Sequence, residues 1–92
     1  MEAYILDAVR TPMGRRDGSF ATVRSDDLGA TCLKAIVDRN PIEAGDIEDV
    51  VMGCVTQTGE QGFDVARMSV LAAGFPISVP GTTVNRLCGS GQ

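Results

Sequence analysis

Histidine is absent from the 92 residues of this chain. A Cys–His catalytic pair therefore cannot be completed within it, and any base for a nucleophilic thiol must come from elsewhere. Cysteine is sparse as well: Cys32, Cys54 and Cys88 are three in number and widely, irregularly spaced. An odd count at such spacing fits neither a disulfide framework nor the close pairs of a zinc site, so no metal site is expected. Basic charge is short, with eight Lys and Arg against twelve Asp and Glu and a net charge of -4. Phosphate binding needs a basic face, and nucleic acid is not an expected partner. No apolar run approaches the roughly 18 residues of a membrane span. No basic-then-apolar leader opens the chain, so the expected compartment is cytoplasmic. Linkers, internal repeats and low-complexity tracts are likewise missing.

What is present is the composition of a globular chain, 43% hydrophobic, enough for one domain or part of one. Tyr4-Ile5-Leu6-Asp7-Ala8-Val9 is short, apolar and partly β-branched, closed by Thr11-Pro12, and reads as a buried strand. Residues 13–24, with Asp17-Gly18 as a turn signal, read as a surface loop. Ser25 or Asp26 then caps a helix to about Asn40, with Leu28, Cys32, Ala35 and Ile36 along one face and Pro41 beyond. Val50-Val51-Met52-Gly53-Cys54-Val55 reads as a second buried strand. Phe63 to Ala73 reads as a second helix, stopped by Gly74 with Pro76 beyond. Thr82-Thr83-Val84-Asn85 forms a third strand. Strand, helix, strand, helix, strand with short connections predicts an α/β fold, a largely parallel sheet covered by helices.

Ligands collect at the carboxyl ends of such strands, and Cys88 stands just past the third. Around it, Asn85-Arg86-Leu87-Cys88-Gly89-Ser90-Gly91-Gln92 joins an apolar segment to a Gly/Ser run, the composition of a strand-to-helix turn. A thiol at a helix N-terminus lies near the positive end of the dipole and near unpaired N–H groups, which favour the thiolate. Cys32, on a helix face, and Cys54, inside a strand, read instead as small buried fillers. Ser90 is no nucleophile-elbow serine, because Cys88 occupies the position where that motif needs glycine.

The segment V-N-R-L-C-G-S-G-Q, Val84 to Gln92, resembles the nucleophile signature of the thiolases, the acetyl-CoA acetyltransferase and 3-ketoacyl-CoA thiolase family. A-V-R-T-P-M-G, Ala8 to Gly14, is similar to that family's first strand and turn. Asp26-Asp27-Leu28-Gly29-Ala30 resembles the start of its first helix. Met52-Gly53-Cys54-Val55, Gly59 and Val65-Ala66-Arg67 follow in the family's order, so the likeness spans the chain. Ketoacyl synthases share the fold, but their nucleophile context differs.

The resemblance implies that residues 1–92 are the first part of a thiolase-like N-terminal domain, ending at the start of the nucleophile helix. It implies that Cys88 carries the acyl group as a thioester and that its N–H contributes to an oxyanion hole. Gly89-Ser90-Gly91 would be structural, and Asn85 and Arg86 would order the strand end and a subunit contact. The reaction implied is thiolysis of a 3-ketoacyl-CoA or the reverse condensation of two acetyl-CoA. CoA and acetyl-CoA are then substrates, with no tightly bound cofactor. The second cysteine, histidines, asparagine and CoA-binding loop of the family come from later sequence, so these residues are not expected to turn over alone. A homodimer or homotetramer is the implied assembly. Two other readings use the same residues: a non-catalytic binding or interaction fragment, since no base is present, and a redox-sensing thiol at Cys88.

Overall fold

The computed structural model describes residues 1–92. An extended amino-terminal stretch is followed by helix α1 (Ser25–Arg39), strand β1 (Val50–Gly53), helix α2 (Val65–Ala72) and strand β2 (Gly81–Val84), with single 3-10 turns at Ala44–Asp46 and Gly59–Gln61. The class is α/β, as the alternation of elements predicts. β1 and β2 pair in parallel, Val50 opposite Gly81 and Gly53 opposite Val84. A parallel pair cannot be closed by a hairpin, and α2 supplies the crossover. No helix is long and apolar enough to cross a membrane.

Helix α1 opens differently from the expected cap. Ser25 is its first residue, and Arg24 stands before it in extended conformation without a side-chain cap bond. The Ser25 hydroxyl and N–H both donate to the Glu60 carboxylate instead, each at 2.8 Å. Asp26 and Asp27 in the first turn and Arg39 in the last complement the helix dipole. Asn40, held extended by the following Pro41, ends the helix.

Helix α2 starts later than Phe63. Asp64 is the cap, at φ 47°, and its carboxylate accepts the Arg67 N–H at 3.3 Å. The far end matches the expected glycine stop. Gly74 sits at φ 75°, its N–H reaching Leu71 O at 3.0 Å while the Phe75 N–H reaches Val70 O at 3.2 Å. Those two bonds form a Schellman end, and the hydrophobic contact that accompanies it is Phe75 on Val70. Val50, Val70, Phe75 and Val79 make the buried centre, with Leu33 and Val37 of α1 packed on it.

The first expected strand is not formed. Residues 1–15 take no regular structure, and Tyr4, Ile5 and Leu6 are 76%, 91% and 80% exposed. The residue types suit a strand, but a strand exists only through its neighbour's hydrogen bonds, and the sheet here holds β1 and β2 alone. Asp7 ties the segment to the end of α1, accepting from Asn40 Nδ2 at 2.8 Å and pairing with Arg39 at 3.3 Å. Strand β1 is also less buried than expected. Val50 is inside and Val51 exposed, the alternation of a strand with α2 packed on one face, while Val55 lies past the end of the strand and is also exposed.

Candidate active site

Parallel pairing brings the carboxyl ends of β1 and β2 side by side, and the chain leaving β2 turns back over that edge. After Val84 come three overlapping turns in place of a regular helix. The Gly89 N–H donates to Arg86 O, the Ser90 N–H to Leu87 O and the Gln92 N–H to Gly89 O, each at 3.1 Å. Leu87 lies in the left-handed region, at φ 49°. Cys88 follows it as an exposed free thiol, so the structure places it on a turn at the strand edge and forms no helix around it. The anticipated dipole is therefore not in place within these residues.

Side chains on either side of Cys88 hold this turn. Asn85 Oδ1 accepts the Leu87 N–H at 3.0 Å, a local bond typical of Asn before a positive-φ residue. The Ser90 hydroxyl accepts the Arg86 N–H at 2.9 Å and donates to Leu87 O. Gly53, at the end of β1, admits the turn. A methyl group added there would lie 2.5 Å from the Gly91 nitrogen and 2.6 Å from the Ser90 carbonyl carbon. The arrangement is a thiol on a braced turn over the edge of a sheet, open to an approaching electrophile.

Cys32 and Cys54 lie elsewhere, and the structure does not bring them to Cys88. Both are half-buried and line a cavity of about 280 Å³ bounded by α1, the end of β1, Gln61 and Val65. Cys54 is one residue past the strand, where its N–H still extends the ladder to Val84 O at 3.0 Å. Its thiol takes part in a polar chain: Gln61 Nε2 donates to Cys54 Sγ at 3.5 Å and to Thr56 O at 2.7 Å, and Ser25 Oγ meets Gln61 Oε1 at 3.0 Å. At the end of this chain, bonds from the Ser25 hydroxyl and then its N–H hold the Glu60 carboxyl below the ordinary range. The Ser25–Glu60 link joins residues distant in sequence, and no local motif announces it. No group of three or more His, Cys, Asp or Glu side chains is placed to hold a metal ion.

Comparison with known proteins supplies the context. Residues 3–92 match the family described as thiolase, N-terminal domain. A beta-ketoadipyl-CoA thiolase of Acinetobacter baylyi is 55% identical over 89 residues, covering 96% of this chain and 22% of the relative. A 3-oxoadipyl-CoA/3-oxo-5,6-dehydrosuberyl-CoA thiolase of Escherichia coli is 54% identical over 91 residues, 98% of this chain and 23% of the relative. A 3-ketoacyl-CoA thiolase of Yersinia pestis is 56% identical over 88 residues, 94% of this chain and 23% of the relative. The chain spans less than a quarter of the length of these relatives.

Proposed function

The chain belongs to the thiolase N-terminal domain family, and on that premise we propose that it carries the acyl-accepting nucleophile, Cys88, of a thiolase acting on 3-ketoacyl-CoA. The observation that carries this reading is the exposed free thiol on a braced turn at the carboxyl edge of the sheet. In the degradative direction the Cys88 thiolate attacks the C3 carbonyl carbon. The C2–C3 bond breaks, its electron pair passes to C2, and C2 takes a proton as acetyl-CoA departs. The acyl group remains as a thioester on Sγ until a CoA thiolate attacks it, giving the shortened acyl-CoA and restoring the cysteine. Condensation of two acetyl-CoA runs the same steps backwards. The chain has no histidine, so both proton transfers are assigned to sequence outside these 92 residues. The dicarboxylate-derived substrates in the relatives' names make 3-ketoadipyl-CoA the first substrate to assay.

In the complete enzyme containing this segment, Cys88→Ala should lower thiolysis about a thousandfold or more. Radiolabel from acetyl-CoA should be trapped on the peptide holding Cys88 and nowhere else. Thiolysis retained by Cys88→Ala would end this reading. The weight would then pass to an interaction role, for which the exposed Tyr4, Ile5 and Leu6 supply an apolar surface.

A further inference from the structure

We infer that Ser90, with Asn85 as its counterpart, is a positioning residue that aims the Cys88 thiol, an inference that rests on Cys88 being the nucleophile. Leu87, immediately before Cys88, has φ 49°, a conformation L-residues with a side chain disfavour. Both of its backbone polar groups are restrained by side chains. Asn85 Oδ1 takes its N–H at 3.0 Å, while its C=O accepts from the Ser90 hydroxyl and, at 3.1 Å, from the Ser90 N–H. The same hydroxyl accepts the Arg86 N–H at 2.9 Å. One buried Oγ, in a residue 6% exposed, thus closes the loop from Arg86 to Ser90, and Cys88 is at its tip.

The geometry separates this role from packing alone. Gly53 already lets the turn sit on the sheet, so the hydroxyl is not needed to fill space. What it supplies is an acceptor for Arg86 and a donor for Leu87, which together keep a disfavoured torsion from relaxing. Relaxation at Leu87 would rotate the next residue, and that residue bears the thiol. Misplacement of a reacting atom by about 1 Å costs on the order of a hundredfold in rate.

The test uses the complete enzyme. Ser90→Ala should lower kcat by roughly ten- to a hundredfold while KM for the acyl-CoA stays within about twofold of the parent. Adding Leu87→Gly should restore part of the loss, about fivefold, because glycine adopts positive φ without help. A merely structural serine would give no such rescue. The Asn85 side chain makes a single bond, two residues along its own turn, so its variants should fold even where Ser90→Ala does not. Asn85→Ala should lower kcat by at least about threefold, and Asn85→Asp, which keeps the acceptor oxygen, should recover most of it. The inference is overturned if folded Ser90→Ala keeps kcat within twofold of the parent, or if Ser90→Ala fails to fold and Asn85→Ala is unimpaired. Cys88→Ala, run alongside, separates this failure from failure of the nucleophile assignment: retained thiolysis there removes the reading itself.

Discussion

At Gly53 a single methyl group decides whether the turn bearing Cys88 can lie against the sheet. The atoms that an added Cβ would meet, 2.5 to 2.9 Å away, are all backbone of Ser90 and Gly91, and backbone cannot rotate aside. Gly53→Ala should therefore destabilise the complete enzyme by about 1–3 kcal/mol and also slow it, because the displaced segment carries the thiol. Gly29 provides the comparison. A methyl group there would approach Ser69 Oγ at 2.5 Å, inside the packing of α1 on α2 and away from the turn. Gly29→Ala meets side-chain atoms that can turn aside and gains about 1 kcal/mol of helix propensity inside α1, so by urea denaturation it should cost less stability than Gly53→Ala, with a much smaller loss of kcat. Ser69 is fully buried and its hydroxyl has no partner, so Ser69→Ala should cost nothing or stabilise. Membership of the thiolase family was legible because the residues around Cys88 form a specific local pattern. The close approach at Gly53 was not, because it joins two segments far apart in sequence.

Among the elements, α2 depends most on one residue. Asp64 accepts the Arg67 N–H and, at 2.8 Å, the Thr83 hydroxyl, so it caps the helix and ties it to β2. Asp64→Ala should cost about 1–2 kcal/mol in the complete enzyme, whereas Asp64→Asn should cost least, since Asn keeps an acceptor and tolerates the left-handed torsion. An Asp64→Ala variant within 0.3 kcal/mol of the parent, roughly the error of such comparisons, would contradict the cap. Acid should loosen two other links. Asp7 is lowered first by its bond from Asn40 and then by the Ala8 N–H, and Glu60 by its bonds from Ser25. A carboxylate lowered in the folded state contributes fully above its unfolded pKa, and that contribution fades as pH falls through the folded value. Both links should therefore hold at neutral pH and open only below the ordinary carboxylate range. Carboxyl NMR shifts of Asp7 and Glu60 that titrate at or above the ordinary values would count against this. The glycine stop of α2 and the end of α1 at Asn40 were readable from local chemistry. The start of α1 was not, because Ser25 serves Glu60 across the fold. The buried strand expected at Tyr4 to Val9 is not formed, because pairing is a property of two segments, and local pattern reports only one.

On the scale of the whole molecule, few side chains leave water. Nine of 92 residues are buried, and the core is built from valines, alanines and one phenylalanine, while Met1, Tyr4, Ile5, Leu6, Met13, Phe63, Ile77 and Leu87 stand exposed. Burial at about 25 cal/mol per Å² of apolar surface must offset roughly 1–2 kcal/mol of backbone entropy for every ordered residue. A core this small offsets little of it, and the exposed apolar groups add a tendency to associate. The 92-residue polypeptide alone should therefore bind hydrophobic dyes, show broad amide signals and have a radius of gyration in solution above the 13.5 Å of the compact form. On the proposed reading, co-expression with the later part of a thiolase should make it soluble and ordered, by covering the amino-terminal segment and the turn after β2. A monomer of the isolated polypeptide that melts in one cooperative step, with an enthalpy near the roughly 0.7 kcal/mol per residue of ordinary domains, would show that the two helices and two strands suffice by themselves. In that event the interaction reading would gain ground over that of a segment completed by the rest of a thiolase.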